Sequence, residues 1–241
     1  MNSLNTASRY RSKRKKELFV FPFAGGNSAA FVHLAKQLES CCEVTVVDYR
    51  GHGRRYAEGS ADSLIDIVND CVGTVTASGA EEIYLLGYSM GSVVAYEVAG
   101  KLKECGIYVA HVFYLASNIP TVKPEVVFLW NSEERLIAEL RRLGGLPEEV
   151  LREEGLLDYF LPIVKNDCRL LCNYKSSELT CVTKQCSVLY SEEEKRNGSI
   201  REWDSCGEKV RYEYFEGGHF FLYHNEERIA NYVKHVIGKG I

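Results

Sequence analysis

Gly87-Tyr88-Ser89-Met90-Gly91 sets a serine midway between two glycines. The Gly-x-Ser-x-Gly pattern suits a sharp strand-to-helix turn, in which the glycines let strand and helix pass close together and the serine hydroxyl is presented for attack on a carbonyl. Its flanks fit that use: Ile83–Leu86 reads as a strand running into Gly87, and Ser92–Cys105 as a helix ended by Gly106. A serine hydroxyl is a weak nucleophile until a base takes its proton, so the chemistry needs a histidine, and a carboxylate to orient that histidine.

Six histidines compete for the role of base. His33 and His235 fall in helical stretches, His111 in a strand, His52 in a turn ahead of the nucleophile, and His224 at the start of a helix. In the chain order nucleophile, acid, base, His219 stands after the last strand on a loop opened by Gly217-Gly218, and it is the candidate base. The acid is expected after the strand Ser187–Tyr190, where the chain reads Ser191-Glu192-Glu193-Glu194 without an aspartate. Counting three residues on from Ser191 gives Glu194; Glu193 is the alternative, since one residue of slack exchanges the two, and the other glutamates are expected to form an exposed acidic loop. An oxyanion hole needs main-chain N–H donors. Met90, opening the helix after Ser89, and Ala24, in the loop Phe21-Pro22-Phe23-Ala24-Gly25-Gly26, are the candidates.

Further strand-like runs at Leu18–Phe21, Val44–Val47, Val109–Leu115, Ser187–Tyr190 and Val210–Phe215 alternate with helical patterns at Ser63–Thr76, Ser92–Cys105 and Glu226–Ile237. Continuous apolar runs suit strands covered on both faces, and the alternation predicts an α/β protein with a mostly parallel central sheet flanked by helices. With the serine elbow at a strand end, the pattern predicts the α/β-hydrolase fold. Residues from about 121 to 180 break the alternation, with helix-like patterns at Glu133–Leu143, Glu148–Leu151 and Leu161–Asn173. The segment is too long for an ordinary crossover and is expected to be a helical lid over the C-terminal edge of the sheet. One hydrolase domain is expected over residues 17–241, behind a flexible basic tail at residues 1–16 that includes the Arg9–Lys16 cluster.

With a net charge of −4 over 241 residues, the chain carries no broad basic surface for nucleic acid, and no apolar run reaches bilayer length. Nine cysteines lie scattered without metal-ligand spacing, which suits reduced thiols in a cytoplasmic protein. Neither a metal nor a cofactor is required by the chemistry, and a monomer is expected.

Taken together, these stretches resemble the type II thioesterases, stand-alone editing enzymes that accompany polyketide synthases and nonribosomal peptide synthetases. Phe21–Gly26 is similar to that family's strand-end signature, and Gly87–Gly91 to its Gly-His-Ser-Met/Leu-Gly. Leu143-Gly144-Gly145-Leu146-Pro147-Glu148-Glu149-Val150 and Leu161-Pro162-Ile163-Val164-Lys165-Asn166-Asp167 resemble its lid segments, and Phe215-Glu216-Gly217-Gly218-His219-Phe220-Phe221-Leu222 its terminal histidine stretch. Three positions depart: glutamates replace the usual aspartate, Tyr88 replaces a histidine beside the nucleophile and is expected to alter pocket polarity, and Tyr49-Arg50-Gly51-His52-Gly53 lacks a proline. The resemblance implies hydrolysis of acyl thioesters on the phosphopantetheine arm of an acyl or peptidyl carrier protein, clearing aberrant or stalled acyl groups through an acyl-serine intermediate. A generic carboxylesterase or lipase would share the same machinery, and a non-catalytic binding protein of the same fold is the third reading.

Overall fold

A computed structural model describes residues 15–123, 125–145, 154–176, 179–197 and 200–239. Most of the basic N-terminal segment, the pattern at Glu148–Leu151 and the Leu146–Val150 part of the lid resemblance lie outside these residues. Six strands, β1 (Lys16–Phe21), β2 (Glu43–Val46), β3 (Glu82–Tyr88), β4 (Val109–Leu115), β5 (Thr183–Tyr190) and β6 (Gly207–Tyr214), form one sheet in the order β2-β1-β3-β4-β5-β6. Every neighbouring pair is parallel.

Parallel strands need crossovers, and the helices supply them on both faces. Along β1 the side chains alternate: Phe19 and Phe21 enter the core under α2 (Leu64–Ala77) and α3 (Met90–Glu104), whereas Leu18 and Val20 enter the core under α1 (Val32–Leu38) and α7 (Leu222–Lys239). Burial on both sides explains the continuous apolar runs of β1, β3 and β4. Helix α2 begins where Ser63 caps it. The Ser63 hydroxyl accepts from Asp66 N–H and the Asp66 carboxylate accepts from Ser63 N–H, a capping box whose loss costs about 1 kcal/mol.

The chain leaves β1 for β2 on one side, then returns to β3 on the other side of β1. The order therefore reverses between β1 and β3, and the carboxyl ends of strands at such a reversal are where ligands bind in open α/β sheets. Phe21 is in register with Gly87, so the loop after β1 and the turn after β3 face each other there.

Between β4 and β5 the described chain forms a 3-10 turn at Glu125–Leu129 and two helices, α4 (Glu133–Leu143) and α5 (Glu154–Asn173), with a small core of their own around Leu136, Leu161 and Val164. Helix α5 departs from the sequence expectation by starting before Leu161 and running through Pro162; the proline mimics a helix opening without being one. Helix α7 likewise starts at Leu222, but a kink at Asn225 separates that first turn from the regular helix expected from Glu226. The acidic stretch after β5 is also helical, as α6 (Glu192–Asn197). Among the described residues, no helix is long and apolar enough to cross a membrane.

Candidate active site

Ser89 sits between β3 and α3 at φ 54°, ψ −116°, a conformation that costs a non-glycine residue energy and persists only where its surroundings enforce it. Hydrogen bonds and close backbone packing do so. Ser89 N–H donates to Leu115 O on the neighbouring strand (2.8 Å). The buried Ser92 hydroxyl lies 2.9 Å from Gly87 O and 3.0 Å from Leu115 O, and it accepts from Leu115 N–H at 3.1 Å. Both flanking glycines are sterically required: a Cβ at Gly87 would strike the Gly91 carbonyl, and one at Gly91 would strike the Phe21 carbonyl of β1. Ser92 is a structural partner of the turn that the sequence reading did not single out.

His219 reaches the serine from the loop after β6. Its Nε2 lies 2.9 Å from Ser89 Oγ, and its Nδ1 lies 2.9 Å from Glu194 Oε1. A carboxylate on Nδ1 places the ring proton there and leaves Nε2 to accept from the serine hydroxyl. The second oxygen of Glu194 accepts from Ser191 N–H (2.8 Å) and from Ser191 Oγ–H (2.7 Å). Ser191 precedes α6, with Glu194 three residues on, so the carboxylate reaches back to the residue at the helix start as in a capping box. That spacing explains a glutamate here: the longer side chain spans from the helix start to the imidazole.

Glu193 points elsewhere. Its carboxylate accepts from Arg142 of α4 (2.7 Å to Nη2, 3.2 Å to Nη1), and Arg142 also bridges to Glu139. Of the three glutamates only Glu192 is exposed; Glu193 and Glu194 are buried, so the expected acidic surface loop is instead a short helix directed at the site.

The oxyanion candidates lie in the loop after β1 and at the start of α3, and the strands that lead to them are in register at Phe21 and Gly87. Gly26 N–H closes a turn onto Phe23 O (2.8 Å), and Gly25 N–H donates to Asp167 Oδ2 (2.7 Å). Among the described residues, Ala24 N–H and Met90 N–H carry no acceptor and remain available to a ligand. Beside Ser89 a cavity of about 90 Å³ reaches α4 and α5, its wall made of apolar Met90, Val93, Val122, Val126 and Leu171 together with polar Asn118, Lys123, Glu139 and Arg142. Tyr88 is absent from that wall; it is fully buried and donates to His219 O, so it does not set pocket polarity.

The remaining histidines lie away from Ser89. His33 and His235 are exposed on α1 and α7, His224 lies in the first turn of α7, and His111 is buried on β4 against Ser187. His52 is buried and paired with Asp167, at 2.8 Å. The sequence signal for that pair was a charged residue inside the buried stripe Val164, Asp167, Cys168 of α5.

The profile of the Thioesterase domain family matches residues 16–237. The medium-chain S-acyl fatty acid synthase thioesterase of Anas platyrhynchos is 28% identical over 239 residues, covering 90% of either chain. The gramicidin S biosynthesis protein GrsT of Aneurinibacillus migulanus is 26% identical, covering 92% of this chain and 89% of its own. Among solved structures, the type II thioesterase BorB from the borrelidin biosynthetic cluster superposes with a TM-score of 0.78 at 26% identity, over 92% of this chain and 93% of that one.

Proposed function

The chain belongs to the thioesterase domain family and is a thioester hydrolase, and from that premise we propose that Ser89, His219 and Glu194 release acyl groups from the phosphopantetheine arm of carrier proteins. The observation that carries this reading is the unbroken chain Ser89 Oγ–His219 Nε2, His219 Nδ1–Glu194 Oε1, each link 2.9 Å, opening onto a cavity of mixed apolar and polar lining between the sheet edge and the helices inserted after β4. The similarity to GrsT and to the type II thioesterase BorB supports a stand-alone editing role beside a polyketide or peptide synthetase, clearing aberrant or stalled acyl groups.

In this mechanism Ser89 Oγ attacks the thioester carbonyl as His219 Nε2 takes its proton. Charge develops on the carbonyl oxygen, where the free N–H groups of Ala24 and Met90 receive it. Glu194 keeps the Nδ1 proton and stabilises the imidazolium without being protonated itself. The tetrahedral adduct collapses, the C–S bond breaks, and the imidazolium returns its proton to the departing pantetheine sulfur. Water then attacks the acyl-serine with His219 again as base, releasing the carboxylic acid and restoring the Ser89 hydroxyl.

The test compares one acyl group presented as a carrier-protein thioester and as an oxygen ester. Turnover of the thioester, lost in Ser89→Ala, supports the proposal; turnover of the oxygen ester alone sinks it. Intact-mass measurement after fluorophosphonate treatment addresses the nucleophile separately, with an adduct on the wild type and none on Ser89→Ala expected. An unmodified wild-type chain would point to a binding protein.

A further inference from the structure

A buried histidine–aspartate pair, apart from the serine and its base, joins the lid to the loops after β1 and β2. Asp167 on α5 is fully buried, and His52, in the loop after β2, is nearly so. One carboxylate oxygen, Asp167 Oδ2, lies 2.8 Å from His52 Nε2 and 2.7 Å from Gly25 N. The other imidazole nitrogen, His52 Nδ1, lies 3.0 Å from Arg50 O, which can only accept. Both ring nitrogens therefore face oxygen atoms, an arrangement that suits the imidazolium form of His52. Burial opposes the charge on His52, but Asp167, the Arg50 carbonyl and Asp48 together outweigh it and hold the imidazole above its ordinary pKa.

The pair acts on a defined peptide. Phe23–Gly26 is a tight turn with Gly25 at φ 77°, a backbone that favours glycine. Gly25 has no room for a Cβ because Val164 and Phe160 of α5 pack onto it. Asp167 takes the Gly25 N–H and so fixes the peptide plane that follows Ala24, while the Phe23 carbonyl takes the Gly26 N–H. What is left over in the turn is the Ala24 N–H. The helix that supplies Asp167 is the same one that covers the turn.

We propose that Asp167 and His52 are positioning residues of the oxyanion hole, coupling it to the lid so that the Ala24 N–H is held for the substrate oxyanion only while α5 is seated on Gly25. The proposal rests on Ser89 being the nucleophile and not on the acyl carrier. Displacing α5 removes the carboxylate from Gly25, frees the Ala24–Gly25 peptide to rotate and takes one donor out of register. An open lid thus holds Ser89 and His219 without a complete hole.

The experiment measures Asp167→Ala, Asp167→Asn and His52→Gln on an activated oxygen ester, with active sites counted by fluorophosphonate. Asp167→Ala is expected to lose about 100-fold in kcat per active site, the scale of one missing oxyanion donor, with little change in KM. Asp167→Asn keeps an acceptor for Gly25 N–H and is expected to retain more, losing about tenfold. Affinity for a trifluoromethyl ketone, which forms a tetrahedral adduct on the serine, is expected to fall in step with kcat/KM across the series. A structural role alone would lower thermal stability and the count of active sites, yet leave kcat per site and ketone affinity unchanged. That result overturns the proposal. If Asp167→Ala does not fold, unchanged kcat in Asp167→Asn and His52→Gln overturns it equally. A wild type that is labelled at Ser89 but leaves carrier thioesters intact would sink the carrier-thioester reading alone, because ester and ketone still report on the hole.

Discussion

The hydroxyl of Tyr88 donates a 2.7 Å hydrogen bond to the main-chain carbonyl of His219, so the residue before the nucleophile holds the loop that carries the base. The same oxygen accepts from Leu222 N–H at 3.3 Å, and the ring packs against Phe23, Phe31 and Phe221. Burial pushes the phenol well above its ordinary pKa, so it remains a neutral donor throughout the working pH range. Tyr88→Phe keeps the packing but leaves a part-buried carbonyl and a buried N–H unpartnered. A stability loss of about 1–2 kcal/mol in urea denaturation is expected, together with a several-fold fall in kcat. Unchanged kcat would mean that the loop holds His219 without Tyr88.

Glu194 and Glu193 are neighbours in sequence with opposite partners, which makes them separable by substitution. Glu194→Gln disturbs both the His219 Nδ1 contact and the reach to Ser191. A loss of kcat approaching 10⁴-fold is expected, as for a triad acid replaced by its amide. Glu194→Asp is one methylene short of spanning Ser191 and His219 and is expected to be strongly impaired as well. Glu193→Gln weakens a half-exposed bridge to Arg142, worth about 1 kcal/mol or less, and should leave kcat within a few-fold. Steady-state kinetics of the three variants decides the assignment, and a larger loss from Glu193→Gln than from Glu194→Gln would reverse it.

Two glycines illustrate how differently the same substitution acts. Gly91→Ala would press a methyl against the Phe21 carbonyl, a backbone atom that cannot turn aside, and would displace the start of α3 that carries Met90 N–H. A loss of about 3 kcal/mol or failure to fold is expected. Gly73, inside α2, has open space where its Cβ would go. Gly73→Ala is therefore expected to stabilise the protein by about 0.5–1 kcal/mol, read as a higher melting temperature.

Some of these relationships were legible in the sequence and others were not, for physical reasons. Ser89 and His219 stood out because a strained turn and a flexible loop demand particular neighbours, namely paired glycines at fixed offsets. Glu194 could be counted from Ser191 because a helix start reaches three residues ahead. The strands were readable where both faces are buried; β5 was read short because its opening residues, Thr183 to Gln185, include polar and exposed side chains. Asp167 and His52 lie 115 residues apart, and only the fold brings α5 onto the loop after β2. The start of α5 was hidden by Pro162, which reads as a helix opening although the helix continues through it.

His111 sets a limit on acid stability. It is buried on β4 with Nε2 at 2.8 Å from Ser187 Oγ, and Tyr232 donates to that hydroxyl at 2.9 Å. The serine proton is then directed to Nε2, which requires an unprotonated acceptor and so a neutral imidazole. Burial, with a smaller contribution from Arg211, depresses the pKa from 6.5 to about 3. In the unfolded chain the imidazole takes up a proton below about pH 6.5, while in the folded chain it does not until about pH 3. Stability is therefore full above pH 6.5 and falls as the pH drops through that window, by about 2 kcal/mol at pH 5. His111→Gln retains a hydrogen-bonding group on the Ser187 hydroxyl but cannot titrate. Urea denaturation of both proteins at pH 7 and pH 5 should show the wild type losing about 2 kcal/mol more than the variant across that interval, since the carboxylates contribute equally to each. Equal losses would mean that His111 is already protonated in the fold, and that Ser187 has turned its hydroxyl away.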